Sequence, residues 1–399
     1  MKKIIAFLCA VCLFVMPVSA KTVSMEYEAT DLDTPIAVTA SSDSVTNLDI
    51  KAKAVILMEP LTNTVLYENN ADERLAPASI TKIMALLLAM EAIENNVIAL
   101  DTVITASEYA CSMGGSQIWL EPGEQMTLDE LLRATAIASA NDATVAIGET
   151  IAGSPEGFIA MMNERAKELG MNNTNFVNCT GLDAENHYTT AHDIAIMSSE
   201  LIKHDLIKKY TTVWMDSLRG GESELVNTNK LVRFYEGCTG LKTGTTSNAG
   251  YCLSASADKN GMQLIAVVLN AESSNERFEG AKKLLNYGYA NYSFAVCKAD
   301  LSENPTIKAR KATKETIPIS PKGELNLLLP KTASKNLSQT LVLDEYVEAP
   351  KKAGDTVGYV KICSGEEELG IIEIQIDEDV KRLNIAQALL WLAKSLFSL

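Results

Sequence analysis

The sequence is short of three things, and each shortage narrows what the protein can do. Basic side chains are outnumbered: 35 Lys and Arg face 51 Asp and Glu, a formal net charge of −16. Such a balance argues against a nucleic-acid partner, which favours a basic surface. Metal-binding spacings are missing. The six cysteines after residue 20 show no C-x-x-C spacing, and His187 and His192 are five apart, so they do not share a helix face. Zinc needs three or four convergent ligands, so neither a metal nor a cofactor is expected. Long apolar runs are also missing at the N-terminus: Ile4 to Val18 falls short of the ~20 residues that span a bilayer.

That N-terminal run instead fits a secretory signal over residues 1–20. Lys2 and Lys3 supply the positive end, and Val18-Ser19-Ala20 is a small-residue cleavage site. Export would place the mature chain outside the cytoplasmic membrane, beginning near Lys21. Cys9 and Cys12 would leave with the signal. Cys111, Cys179, Cys238, Cys252, Cys297 and Cys363 would remain, as disulfides, which an exported protein can form, or as free thiols. Residues 21–50, rich in Ser, Thr and Asp, read as a flexible leader.

The chain is organised around Ala76-Pro77-Ala78-Ser79-Ile80-Thr81-Lys82, which opens an apolar run continuing to Met90. In a helix, residues three apart are neighbours, so Ser79 and Lys82 would project side by side. Pro77 fits at the first turn, and a helix apolar nearly all round belongs in the core. Ser139-Ala140-Asn141 and Lys242-Thr243-Gly244-Thr245 follow in order. S-x-x-K, then S-x-N, then K-T-G is a pattern of class A β-lactamases and penicillin-binding proteins.

The elements around these motifs can be read locally. Ala52–Met58 and Val65–Tyr67 form a hairpin ahead of the Ser79 helix. Thr127 with Glu130 is a capping box, whose helix ends near Ser139, so the S-x-N triplet lies on a helix–helix connection. Thr190 with Asp193 caps another helix. Strands follow at Leu241–Thr246, Gly250–Ala257 and Met262–Leu269, the last two joined at Asn260-Gly261. A helix spans Asn275 to Tyr289. Antiparallel strands flanked by first and last helices, with an all-α region between, predict an α+β domain over 51–294.

After Phe294, short strand-like runs separated by Pro, Gly and charged turns predict a small all-β domain over 295–378. Residues 379–399 close the chain. Leu383, Ala386, Leu389, Leu390, Ala393, Leu396 and Phe397 share one helical face. That helix would be about 25 Å long with a polar side, suited to lying on a membrane surface rather than crossing it.

Together the motifs supply the parts of an acyl transfer. Ser79 is the nucleophile and Lys82, if neutral, its base; burial and the charge of Lys242 would favour that state. Ser139 can relay a proton, and Asn141 can hold Lys82 or the substrate amide. The N–H groups of Ser79 and Thr245 could form an oxyanion hole. Lys242 and Thr243 suit a carboxylate, and Gly244 would let the substrate backbone come close to the strand.

On these motifs the chain resembles the D-alanyl-D-alanine carboxypeptidases of the low-molecular-mass penicillin-binding protein family, well over about Ala52 to Phe294 and more loosely beyond. The resemblance implies a β-lactamase/transpeptidase-like fold. It implies removal of the terminal D-alanine from peptidoglycan pentapeptide stems through a serine acyl-enzyme, and trapping of that serine by β-lactams. It implies work at the outer face of the cytoplasmic membrane and in the cell wall. The arginine that some members place beside the substrate carboxylate is not located by the motifs. Three rival readings are a D,D-endopeptidase, a class A-like β-lactamase and a non-catalytic wall- or penicillin-binding protein. The β-lactamase would need E-x-x-L-N between Asn141 and Lys242, which is absent. The non-catalytic protein would be expected to have lost a motif.

Overall fold

The computed structural model describes residues 47–387 and 389. The signal expected over 1–20, most of the 21–50 leader, and residues 388 and 390–399 of the C-terminal amphipathic helix lie outside the described residues. None of the helices among the described residues is long and apolar enough to cross a membrane.

Five strands build the central sheet: β1 (Ala52–Glu59), β2 (Thr64–Asn69), β3 (Cys238–Thr246), β4 (Gly250–Lys259) and β5 (Met262–Ala271). All neighbours are antiparallel, in the order β2-β1-β5-β4-β3. Asn260 and Gly261 both take positive φ (56° and 79°) at the β4–β5 turn, as a two-residue hairpin of type I′ requires. Alternation of side chains then divides β1 between two apolar layers. Ala54, Ile56 and Met58 join the layer holding the middle helices. Val55 and Leu57 face Phe278, Ala281, Leu284 and Leu285 in the other.

The longer helices are α1 (Lys82–Glu94), α2 (Leu128–Arg133), α3 (Asn141–Ala152), α4 (Pro155–Glu168), α5 (Ala191–Lys203) and α6 (Ser274–Asn291). Every residue of α1 from Lys82 to Met90 is buried, as its all-round apolar sequence predicts. The Thr127–Glu130 capping box is complete in both directions, and Thr190 caps α5 through the Asp193 N–H. Helix α6 covers the outer face of the sheet. There Gly288 leaves room for Leu264, which a Cβ would meet at 2.5 Å.

Beyond α6 the chain is all β. Tyr292–Cys297 pairs with Leu325–Pro330, so this strand runs across the boundary expected at residue 294. A six-stranded sheet completes the region, ordered Leu337–Leu343, Thr356–Ser364, Glu367–Ile376, Thr316–Pro321, Thr306–Arg310, Val347–Glu348. Its core is aliphatic, with Ile307, Ile317, Val360, Ile362 and Ile374 among its buried residues. The architecture is the α+β domain followed by a small all-β domain that the sequence predicts. All six described cysteines are free thiols, which settles the choice the sequence left open.

Candidate active site

Ser79 sits in a single 3₁₀ turn, Ala78–Thr81, that runs directly into α1. Two glycines press against this turn. A Cβ on Gly181 would lie 1.8 Å from Ala78 O, and one on Gly244 would lie 2.9 Å from Ser79 N. Gly244 is therefore required by the packing of β3 on the nucleophile turn. Gly181 also has φ +85°, a conformation that side-chain-bearing residues rarely adopt.

Lys82 is wholly buried, and three oxygens surround its Nζ. Asn141 Oδ1 and Thr180 O each lie 2.6 Å away, and Ser79 Oγ lies 3.0 Å away. Asn141 is oriented by its own Nδ2, which donates to Gly114 O at 2.6 Å, so its oxygen faces the lysine. Burial pulls the Lys82 amine down from 10.5 to about 7, against smaller opposing effects of Cys179 and Asp142. A neutral amine has two N–H groups and one lone pair. Asn141 Oδ1 and Thr180 O can only accept, so they take both N–H groups. The lone pair is left for the Ser79 hydroxyl proton.

Thr180 was not legible as part of this site. Its carbonyl is aimed by Asn178, whose Oδ1 accepts from the Thr180 N–H, the Thr180 hydroxyl and the Gly181 N–H. His187 was read only as a weak metal ligand. The Val177 N–H donates to its Nδ1, so the ring proton is on Nε2, which donates to Thr81 Oγ1 at 2.9 Å. The Thr81 hydroxyl in turn donates to Ala78 O. Burial lowers His187 to about 4, so the neutral ring braces the nucleophile turn.

Ser139 follows a π-helical turn, Ala134–Ala138, and has φ 64°, the left-handed bend that lets α3 begin at Asn141. Its hydroxyl is buried with no hydrogen-bond partner among the described residues. Asp142, also buried, accepts from the Ile118 and Leu120 N–H groups and so anchors the Gly114–Leu120 loop to α3.

Strand β3 is the edge of the sheet, so one row of its backbone groups is free of sheet pairing. Alternation puts Lys242 on the face that Gly244 turns to Ser79, and Thr243 on the other, where it donates to Thr228 Oγ1 at 2.7 Å. Burial first, then the charges of Lys82 and Arg277, holds Lys242 well below the lysine range. The depression of Lys82 is thus due to burial, and Lys242 is not its source. Thr245 is exposed at the strand end. Arg277 of α6 donates through one nitrogen to both Thr245 Oγ1 and Gly244 O, each at 3.0 Å. Nothing local in the sequence singled out this arginine. Its position comes from α6 crossing the far end of β3.

Comparison with known proteins places these features. The sequence profile of the family described as D-alanyl-D-alanine carboxypeptidase matches residues 38–273. That of the penicillin-binding protein 5 C-terminal domain matches 300–382. The chain is 41% identical to D-alanyl-D-alanine carboxypeptidase DacF of Bacillus subtilis, over 83% of this chain and 86% of that one. It is 34% identical to DacC of Escherichia coli, over 80% and 82%. Among solved structures, penicillin-binding protein 5 of Haemophilus influenzae superposes with a TM-score of 0.71 at 29% identity, covering 85% of this chain and all of that one. Penicillin-binding protein D2 of Listeria monocytogenes, in an ampicillin-bound form, superposes with a TM-score of 0.54 at 32% identity, over 61% of this chain and 99% of that one. The chain belongs to the D-alanyl-D-alanine carboxypeptidase family.

Proposed function

We propose that this protein is a serine D-alanyl-D-alanine carboxypeptidase that removes the terminal D-alanine from peptidoglycan pentapeptide stems. The observation that carries the reading is the Lys82 amine, held 3.0 Å from Ser79 Oγ with its other two positions taken by acceptors. Ser79 attacks the carbonyl of the penultimate D-alanine as its proton passes to Lys82. The N–H groups of Ser79 and Thr245, brought close by the absence of a side chain at Gly244, hold the oxyanion. Ser139 passes a proton to the departing D-alanine amine, and Asn141 holds the substrate amide. Arg277 and Thr245, with Thr243 and Lys242 behind them, receive the terminal carboxylate. Water then cleaves the acyl ester by the path the D-alanine vacates.

A β-lactam acylates the same serine, but its leaving group stays tethered and blocks that path. The reading therefore expects rapid peptide turnover beside a long-lived penicilloyl adduct. A class A β-lactamase would do the reverse, and the glutamate element it would use is absent. The test is to incubate the purified protein with a pentapeptide stem and weigh the product. Loss of one alanine supports the reading, and an unchanged peptide rejects it.

Residues 51–294 would then be the catalytic domain and 295–378 an all-β stalk, with the chain exported by residues 1–20. The amphipathic pattern of 383–399 supports anchoring at the outer face of the cytoplasmic membrane, beside the cell wall. Deleting Leu383 to Leu399 should move active protein from the membrane fraction to the soluble one. Truncated protein that stays with the membranes would reject the anchor.

A further inference from the structure

Asp183 takes no part in the acyl transfer itself, yet it ties together two segments that meet at Ser79. Its side chain is exposed. Oδ1 accepts from the Thr246 hydroxyl at 2.6 Å, and Oδ2 accepts from the Asn248 N–H at 3.4 Å. Thr246 Oγ1 in turn accepts from the Ala249 N–H at 3.0 Å. Thr246 is the last residue of β3 and directly follows Thr245, whose N–H serves the oxyanion. One carboxylate thus holds the end of β3, and the turn into β4, against the loop of residues 180–183.

The two sides of this tie are not equally firm. The loop is fixed without Asp183. Thr180 O lies 2.6 Å from Lys82 Nζ, and Asn178 Oδ1 accepts from the Thr180 and Gly181 N–H groups. Gly181 packs so closely on the nucleophile turn that a Cβ there would lie 1.8 Å from Ala78 O and 2.8 Å from Ser79 N. The strand end has less support. β3 pairs on one side only, and Thr245 is exposed. Arg277 reaches Thr245 Oγ1 and Gly244 O from α6, and Asn270 donates to Ala249 O from β5 at 2.9 Å. Neither of them comes from the side of the cleft that carries the 180–183 loop. A carboxylate suits this place, because hydrogen bonds to an ionised acceptor are stronger than neutral ones.

We propose that Asp183 is a positioning residue: through Thr246 it holds the Thr245 N–H where the oxyanion forms, for peptide and β-lactam alike. The inference deepens the carboxypeptidase reading and rests on it for the place of the oxyanion. Donors of this kind act because they are aimed before the charge develops, and a misplacement of about 1 Å can cost about 10²-fold. Releasing the strand end should therefore slow the bond-forming step more than it weakens binding.

The experiment measures acylation of the full chain by a fluorescent penicillin, and D-alanine release from a diacetylated peptide ending Lys-D-Ala-D-Ala. Asp183→Ala and Thr246→Val should each slow acylation about 10- to 100-fold, in the rate at saturation rather than in the half-saturating concentration. Asp183→Asn keeps an oxygen that can accept from Thr246, so it should recover most of the loss. The double variant Asp183→Ala with Thr246→Val should match Thr246→Val alone, since both changes break one tie. The pH at which acylation levels off, about 7 in the wild type, should not move in any of them, because the loop still holds Thr180 against Lys82. Thermal unfolding of each variant separates lost fold from lost alignment. Wild-type acylation in Asp183→Ala, a loss that Asp183→Asn does not recover, additive losses in the double variant, or a displaced pH profile would each overturn the assignment. Failure of the carboxypeptidase reading looks different: the wild type then releases no D-alanine, while penicillin acylation still reports on the tie.

Discussion

Ser79→Ala protein should take up no penicillin and release no D-alanine, while folding as the wild type does. The hydroxyl is the bond-forming atom, so its removal leaves nothing for either acyl donor to modify. Structurally the change is small. The Ser79 side chain contributes one hydrogen bond, to Lys82, and such a bond is worth about 1 kcal/mol net. Thr81, His187, Gly181 and Gly244 hold the turn without it. Penicillin labelling and thermal unfolding on the same preparation separate the two effects. Undiminished labelling of the alanine variant would assign the acyl group to another residue.

Lys82→Arg should lower acylation by peptide and by penicillin alike, by about 10²–10⁴, the usual range for loss of a general base. Arginine stays charged and has no lone pair to offer. The wild-type pH profile carries the sign of the same argument. Lys82 accepts a proton only in its neutral form, and burial sets its pKa at about 7. Acylation should therefore fall about tenfold per pH unit below that value and level off above it. Stability moves the same way with pH. The unfolded chain keeps this proton up to the ordinary lysine range, so between about 7 and 10.5 the unfolded state binds more protons. The burial of Lys82 therefore weighs fully below pH 7 and is relieved as pH rises. A variant that acylates within tenfold of the wild type would mean that another base acts.

The parts of the fold legible in the sequence are those fixed by local chemistry. The run from Ile83 to Met90, the Thr127–Glu130 box, the Asn260-Gly261 turn and the short apolar run of β1 each specify an element from neighbouring residues. Ser79 and Lys82 belong here, because one helical turn is enough to bring them together. What the sequence hid is carried by backbone groups and by distant chain segments. The Thr180 carbonyl has no side-chain signature, and Asn178, which aims it, looks like any loop asparagine. Arg277 reaches Thr245 only because α6 crosses the end of β3. Gly244 and Gly181 were visible as glycines, but the reason for them, the crowding of the Ala78–Ser79 backbone, exists only once three segments meet. His187 likewise turned from a poor metal ligand into a brace when Thr81 and Val177 came within reach.

The measurement that bears most directly on the account follows pentapeptide and penicillin together on one preparation of purified protein. Mass analysis counts D-alanine released, and the same samples show how long the penicilloyl group stays on Ser79. The account predicts many turnovers of peptide, each losing one alanine, while the penicilloyl adduct outlasts many of those turnovers. Rapid multiple turnover of penicillin with no D-alanine released from the peptide would contradict it.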